Sequence, residues 1–446
     1  MLKKIYRHIK NIYLHPDFFK VWGIALFLLF LGYWIDFTFV IGKFLFLSLI
    51  IITVLDLLYL ILYGNIEASR ELPDKFSNGD SNVVKLKLFS SYPTRIFIKI
   101  IDEIPYQFQK RDFNIALTLK SGKPTEYEYN LRPVKRGNYV FGNLNIFAYS
   151  PLKLICYRYQ FDNKKSVKVY PSFLQMRKYE LIALTNKFGM GIRKIRRIGH
   201  TMEFEQIKAY HKGDDYRSIN WKASAKHNKL MVNQYQDEQS QTVYSLIDMG
   251  RTMKLPFNGM TLLDYAINST LSFSNIVMKK NDKAGLLTFE NKIKTFIKPG
   301  DKKSDLNKIF ESLYAIENQF NETDYERLYT FVKSNINKRS LLMIYSNFEH
   351  IGSLRRQIPF LKKLAKKHLV VLIIFENVEL NQLIHSQPTD NKTLYHKLIA
   401  EEFAFQKKLM RKELKLHKIH TIYTSPENLT VATINKYTEL KAKSLI

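Results

Sequence analysis

The densest run of chemically capable side chains lies in the middle of the chain, from Glu203 to Glu238. Glu203 and Glu205 precede Tyr210, and Gly213-Asp214-Asp215 is followed by Arg217, Asn220, Trp221 and Lys222. Neighbouring carboxylates can do acid/base work when their surroundings push their pKa values apart. Glu203, Asp214, Asp215 and Arg217 are therefore the candidate catalytic set of a hydrolase. The alternative is structural: Gly213 permits a tight turn, and Asp214 or Asp215 caps a helix that presents Ile219, Trp221 and Ala225. Arg217 and Lys222 would then pair with Glu203, Glu205 or Glu238. No Ser/His/Asp arrangement, H-E-x-x-H or phosphate-cradling glycine loop accompanies the acids. His200 and His211 have no recognisable catalytic setting.

The elements after Glu238 follow an α/β rhythm. Strands are predicted at Val243–Ile247, Ala284–Phe289, Ser340–Tyr345, Leu369–Phe375 and Ile419–Tyr423. Helices are predicted at Leu262–Met278, Ser304–Tyr314, Arg355–Lys367 and Thr430–Lys443. Apolar strands between amphipathic helices describe a parallel sheet covered on both faces. Ligands of such sheets sit at the carboxyl ends of strands, which points to Asp248 and Asn347. Residues 377–418 interrupt this pattern. Ala400–Leu416 carries Glu401, Glu402, Lys407, Lys408, Arg411, Lys412 and Lys415 around Phe403, Phe405, Leu409 and Leu414. This insertion reads as a solvated helix with one apolar side or as an arm facing a partner.

From Leu72 to Ser172 the period is two. Val84, Leu86 and Leu88 alternate with Val83, Lys85 and Lys87, and Ile96, Ile98 and Ile100 alternate with Arg95, Phe97 and Lys99. Asn78-Gly79-Asp80, Ser121-Gly122 and Arg136-Gly137-Asn138 supply the turns. Short antiparallel strands at this spacing predict a β-sandwich of immunoglobulin type, whose task is spacing or protein contact. Cys156, the single cysteine, reads as a buried, inert thiol.

Two apolar runs precede this unit, Val21–Ile35 and Phe44–Tyr63, separated by Asp36 and Lys43 and flanked by Tyr33 and Trp34. They predict a two-helix transmembrane hairpin. Lys3, Lys4, Arg7, Lys10 and Lys20 against Asp17 keep the N-terminus, and with it the body, on the cytoplasmic side. Asp56 inside the second run predicts a helix–helix or oligomer contact in preference to ion passage. The chain has 446 residues and carries a formal charge of +29, from 69 Lys and Arg against 40 Asp and Glu. That excess suits an anionic membrane surface. Weak nonspecific nucleic-acid binding is the alternative, but no zinc-finger, helix-turn-helix or RNA-binding signature supports specific recognition.

The run Glu203–Glu238 resembles the signature of domain-of-unknown-function family 58. Its pattern E-F-x-x-(I/L)-(R/K)-x-Y-x-x-G-D-D-x-R-x-I-(N/D)-W-(K/R)-A-(S/T)-A-(R/K), then L-x-V-x-x-(Y/F)-x-x-E, is carried here by Glu203, Tyr210, Gly213, Asp214, Asp215, Arg217, Asn220, Trp221, Lys222 and Glu238. Upstream, Tyr129 to Pro133, Arg136-Gly137, Tyr139 and Phe141-Gly142 also look like this family. The resemblance implies a bacterial cytoplasmic-membrane protein with a membrane hairpin, a β-rich region and a von Willebrand factor A-like domain. It also implies a MoxR-type AAA+ ATPase as partner, a client protein, and no established reaction. The divisions expected are a hairpin with basic N-terminus at 1–66 and a β-sandwich-like domain at 67–172. The signature segment and linker follow at 173–240, then the A-like α/β domain at 241–446.

By the same resemblance, Asp248-Met249-Gly250-Arg251-Thr252 corresponds to the D-x-S-x-S motif that begins a metal-ion-dependent adhesion site. Thr323 and Asn347 correspond to that site's threonine and second aspartate. Asp248, Thr252 and Thr323 could hold Mg²⁺ with waters, because that ion favours octahedral oxygen ligation. Gly250 supplies no hydroxyl and Asn347 no charge. A divalent site, a degenerate site kept as a protein-contact surface, and a purely structural set are the three readings left open. The expectation is a non-enzymatic adaptor, with the hydrolase as runner-up.

Overall fold

The computed structural model describes residues 10–185, 202–211, 214, 216–237, 240–317, 321–388, 390–443 and 445–446. It divides into two units, Met1–Tyr170 and Pro171–Ile446.

The first unit contains strands β1 (Ile12–Leu14), β2 (Ile66–Glu71), β3 (Lys75–Ser77), β4 (Asn82–Ser90), β5 (Ile96–Asp102) and β6 (Asn114–Leu119). Strands β7 (Thr125–Leu131), β8 (Gly137–Phe141), β9 (Leu144–Tyr149), β10 (Ile155–Phe161) and β11 (Lys165–Tyr170) complete it. They form a five-stranded sheet, β1-β10-β9-β5-β6, and two three-stranded sheets, β3-β11-β8 and β2-β4-β7. The period-two pattern is realised residue by residue in β4. Val84, Leu86 and Leu88 are buried, and Val83, Lys85 and Lys87 are exposed. One apolar core, including Phe76, Leu86, Ile98, Leu131, Phe141 and Ile146, lies among the sheets, as a sandwich requires. Cys156 is buried, and burial pushes its thiol up to about 11.

Helices α1 (Pro16–Leu31) and α2 (Asp36–Leu62) pack on each other within this unit. Among the described residues, α2 alone is long and apolar enough to cross a membrane. Its 27 residues extend about 40 Å, against about 30 Å of hydrocarbon. Helix α1 has 16 residues and extends about 24 Å, which corrects the expectation of two spanning helices. The shortfall lies at the far end: α1 stops at Leu31, and Gly32–Ile35, predicted as part of the run, form the turn into α2. Upstream of α1, Ile12–Leu14 joins the sandwich as β1, paired with β10. The far end of α2 is committed too. Leu60 lies in the sandwich core, and Asp56 is buried facing the turn of Ser150, Leu152, Leu154 and Ile155. Asp56 thus faces its own chain's β9–β10 turn.

The second unit begins with α3 (Phe173–Thr185), then β12 (Met202–Ala209), the short helix α4 (Trp221–His227) and β13 (Met231–Asp237). There follow β14 (Thr242–Asp248), β15 (Pro256–Phe257), β16 (Met260–Thr261), α5 (Leu262–Lys279), β17 (Lys283–Phe289) and β18 (Ile293–Gly300). Next come α6 (Lys303–Tyr314), α7 (Tyr325–Asn335), β19 (Leu341–Tyr345), α8 (Ile351–Lys367) and β20 (Leu369–Phe375). The chain closes with α9 (Val378–His385), α10 (Asn391–Leu416), β21 (His420–Thr424) and α11 (Leu429–Ala442).

The large sheet has the order β18-β17-β14-β19-β20-β21, with β18 antiparallel and the other neighbours parallel. Because side chains alternate across a strand, β14 feeds both faces: Val243 and Ile247 join one core and Tyr244 and Leu246 the other. Helices α5, α6 and α11 cover the first face through Leu263, Ile309 and Ile434, and α7, α8 and α10 cover the second through Leu328, Leu361 and Met410. This is a doubly wound sheet whose chain reverses direction of growth between β14 and β19, the place where such folds bind ligands. Sequence periodicity missed β18 and α7. The first alternates too weakly at an exposed edge, and Tyr325, Leu328 and Val332 become an apolar stripe only once the helix is known.

Candidate functional site

The signature segment folds as an antiparallel ribbon. Strands β12 and β13 pair from Met202–Asp237 to Ala209–Met231, with a bulge between Phe204 and Gln206. Tyr210 continues the ladder, its N–H donating to the Leu230 carbonyl at 2.8 Å. Asp214 closes the turn that follows. Its carboxylate accepts from the His211 N–H at 2.9 Å and from Lys208 Nζ at 3.0 Å. These two donors, the backbone one first, hold its carboxyl below the ordinary carboxylate value.

Asn220, not Asp214, caps α4: its Oδ1 accepts from the Ala223 N–H at 3.0 Å. The same side chain donates through Nδ2 to Asn233 Oδ1 at 2.9 Å, joining the helix start to β13. Ser224 Oγ donates to the Asn220 carbonyl at 2.8 Å and accepts from the Met231 N–H at 2.9 Å. Trp221 and Lys222 are exposed, Trp221 at 70%. Gly213, Asp215 and Glu238 lie outside the described residues, as do the side chains of Glu203 and Arg217.

The second cluster stands at the carboxyl edge of the large sheet, where β14 ends in Asp248 and β19 is followed by Ser346 and Asn347. Asp248 is buried. Its Oδ1 accepts from the Thr323 hydroxyl at 2.5 Å and from the Gly250 N–H at 2.8 Å, and its Oδ2 accepts from the Ser346 hydroxyl at 2.6 Å. Tyr325 in turn donates to Ser346 Oγ at 2.8 Å. Burial pushes the Asp248 carboxyl above its ordinary value, although the Ser346, Thr323 and Gly250 donors pull it down. Gly250 is a steric requirement, since a Cβ there would lie 2.0 Å from Thr323 Oγ1.

Thr252 and Asn347 belong to a neighbouring group. Thr252 Oγ1 donates to the Asn347 carbonyl at 3.0 Å, and Asn347 Oδ1 accepts from Lys407 Nζ at 2.9 Å. Lys407 reaches in from α10 and also donates to the Phe348 carbonyl at 2.6 Å. Burial lowers its ammonium to about 8, with Glu349 acting in the opposite direction. Beside it lies a cavity of about 440 Å³ bordered by β15 and the start of α5, by residues at or just after the ends of β19, β20 and β21, and by α9 and α10.

The four motif positions thus reach one edge of one sheet, but they make two sets, Asp248–Thr323 and Thr252–Asn347. Among the described residues no three His, Cys, Asp or Glu side chains converge on a common point. Sequence reasoning missed Ser346, Tyr325 and Lys407 as members of this site. Ser346 is detectable as the hydroxyl preceding Asn347 at a strand end. Lys407 has no local signal, because it arrives from a helix 60 residues away.

Residues 206–383 match the family described as Protein of unknown function DUF58. Uncharacterized protein YeaD of Bacillus subtilis is 24% identical over 174 residues, 39% of this chain, and the match spans 42% of that relative's length. Among solved structures, an aerotolerance-related membrane protein from Bacteroides fragilis, bearing multiple mutations to serines, aligns with 46% of this chain and 100% of its own, at 13% identity and a TM-score of 0.30. The conserved hypothetical protein BatB from Bacteroides thetaiotaomicron gives the same four figures. The CARDB domain of PF1109 from Pyrococcus furiosus aligns with 24% of this chain and 90% of its own, at 13% identity and a TM-score of 0.19.

Proposed function

Residues 206–383 belong to the DUF58 family, and from that premise we propose that this chain is a membrane-anchored, non-enzymatic adaptor. In this reading α2 holds the body at the cytoplasmic face of a bacterial inner membrane, and the α/β unit, read as a von Willebrand factor A-like domain, meets a MoxR-type AAA+ ATPase or its client. The observation that carries the reading is the division of labour in the signature segment. Asn220 and Ser224 are consumed in building the ribbon, and Trp221 between them is turned out to solvent. An exposed tryptophan on a hydrogen-bonded support is the kind of anchor that dominates protein interfaces.

Other features agree. The order of the large sheet, with its antiparallel edge strand, suits an A-like domain. The basic N-terminal residues favour the cytoplasmic side, and both ends of the α1–α2 pair run into the same sandwich. The hydrolase alternative gains nothing from Asp214, whose carboxylate closes a turn and is held ionised by its donors. The donor set around Asp248 does not fit an octahedral magnesium site. Its oxygens already accept three hydrogen bonds, and Thr323 Oγ1 stands where a serine at position 250 would place its Cβ. The adaptor is therefore proposed without a metal.

Crosslinking in native membranes followed by identification of partners tests this. An AAA+ ATPase of MoxR type is expected among the captured proteins, and Trp221→Ala is expected to reduce its capture about thirtyfold, the effect of removing an interface anchor worth about 2 kcal/mol. Undiminished capture by the variant, or absence of any such ATPase, would sink the proposal.

A further inference from the structure

Among the described residues Lys407 has no carboxylate in direct contact, Glu349 acting on it only from a distance. That glutamate, on the same rim, lies 4.0 Å from Arg251. Its two bonds, to Asn347 Oδ1 and the Phe348 carbonyl, use two of the three donors an ammonium carries. Burying such a group against apolar walls is costly until an anion completes its shell. The walls are apolar indeed: Phe257, Leu262, Phe375, Leu380 and Phe403 line the cavity. In an adhesion-type site a metal ion beside the second aspartate receives a partner's carboxylate. Here the amide of Asn347 faces an ammonium, and Asp248 is closed off by Thr323, Ser346 and Gly250.

Resting on the A-like reading above, we propose that Lys407 replaces the metal as the cation of this site, and that the cavity takes the C-terminus of a peptide. The terminal carboxylate would sit on Lys407 and a large apolar last side chain in the cavity. Three features select this occupant. A volume of about 440 Å³ is in the low part of the range for ligand pockets, and a terminal residue delivers carboxylate and apolar group together into so small a space. Glu349 and Glu376 on the rim repel a second negative charge, which disfavours an acidic tract. His350 and Asn377, the N-caps of α8 and α9, also border the cavity, and the dipoles of those helices favour one anion there.

The test uses the full chain in detergent micelles and a hexapeptide, Gly-Ser-Gly-Ser-Leu-Phe, labelled at its N-terminus and read by fluorescence anisotropy. The free acid is expected to bind at least tenfold more tightly than the C-terminal amide, with no change on adding EDTA. Lys407→Met should abolish the preference for the acid. Phe403→Ala should weaken both peptides and keep the preference, so the assignment stays testable if the lysine variant does not fold. Equal binding of acid and amide, no binding of either, a preference that survives in Lys407→Met, or affinity lost to EDTA and restored by Mg²⁺ would each overturn the proposal. An amidated peptide with an internal Leu-Phe-Glu that binds as tightly as the free acid would overturn the C-terminal assignment. ATPase capture through Trp221 does not involve Lys407. Capture without peptide binding therefore refutes this inference alone, and peptide binding without capture refutes the adaptor alone.

Discussion

Gly250→Ala offers a direct test of how the Asp248 site is packed. Gly250 has φ −69° and ψ 173°, an extended conformation open to any residue, so an alanine there meets no backbone strain. The obstacle is steric: the new Cβ would lie 2.0 Å from Thr323 Oγ1 and 3.0 Å from Asp248 Oδ1. Overpacking of this kind costs about 1–3 kcal/mol. Thr323→Ala removes the nearer obstacle, and also removes a hydroxyl donor from a buried carboxylate, a loss of about 1.5–3 kcal/mol. In the Thr323→Ala background, relief of the clash and the lower entropy of the unfolded chain, worth about 0.4–1 kcal/mol, offset the residual contact with Asp248. Gly250→Ala should there be neutral within about 0.5 kcal/mol. The coupling between the two substitutions is expected to be about 2 kcal/mol. Hydrogen exchange of peptides covering β14 and β19, followed by mass spectrometry in the full chain, reads the local stability of this part of the sheet. If Gly250→Ala costs the same in both backgrounds, Thr323 does not occupy the space a serine would need, and the case against a metal loses its steric half.

Other outcomes follow from the same structure. His368 is 4% exposed, and burial, with Lys367 beside it, lowers its pKa from 6.5 to about 4. The unfolded chain therefore takes up this proton first, so stability should fall as the pH drops from 6.5 towards 4. The full shift corresponds to about 3 kcal/mol, reduced to about 2 by solvent screening through exposed Lys367. Thermal unfolding of His368→Leu should lack this slope. In the sandwich, the buried Arg70 guanidinium donates to Asp102 and to the carbonyls of Gly142 and Asn163, at 2.9 and 2.6 Å for the last two. Asp102→Asn strands that charge and is expected to destabilise the sandwich by about 3–5 kcal/mol, seen as faster exchange in β5 and β8. Asn220→Ala removes the α4 cap and should cost about 1 kcal/mol, confined to exchange within the β12–β13 ribbon.

How much of this was legible beforehand differs between the parts. Strand β4 could be read almost residue by residue, since burial of every second side chain is a local consequence of the pleat. The parallel strands were legible for the same kind of reason. Leu369–Phe375 is a continuous apolar run because both its faces are covered. The second apolar run was correctly read as long enough to span, but the first was overestimated. Its helix ends at Leu31, and an apolar run that continues to Ile35 does not mark where the turn into α2 falls. Asn220 was recognised as part of a motif, but the cap was assigned to Asp214 or Asp215, because aspartate and asparagine are equally good caps until the helix start is known.

The sequence by itself determined the periodicities and the apolar runs, and it brought Asp248, Thr252, Thr323 and Asn347 to notice as one motif. The periodicities and runs rest on residue type and spacing along the chain, and the motif on the resemblance to a known family. Only the tertiary structure decided what the motif became. Thr323 fills the space at Gly250, Ser346 takes the second oxygen of Asp248, and Lys407 arrives from α10 to face Asn347. The physical reason is that the chemistry of such a site lies in distances of about 3 Å between side chains far apart in sequence, and no local pattern records which of them the packing of two helical layers on a sheet will bring together.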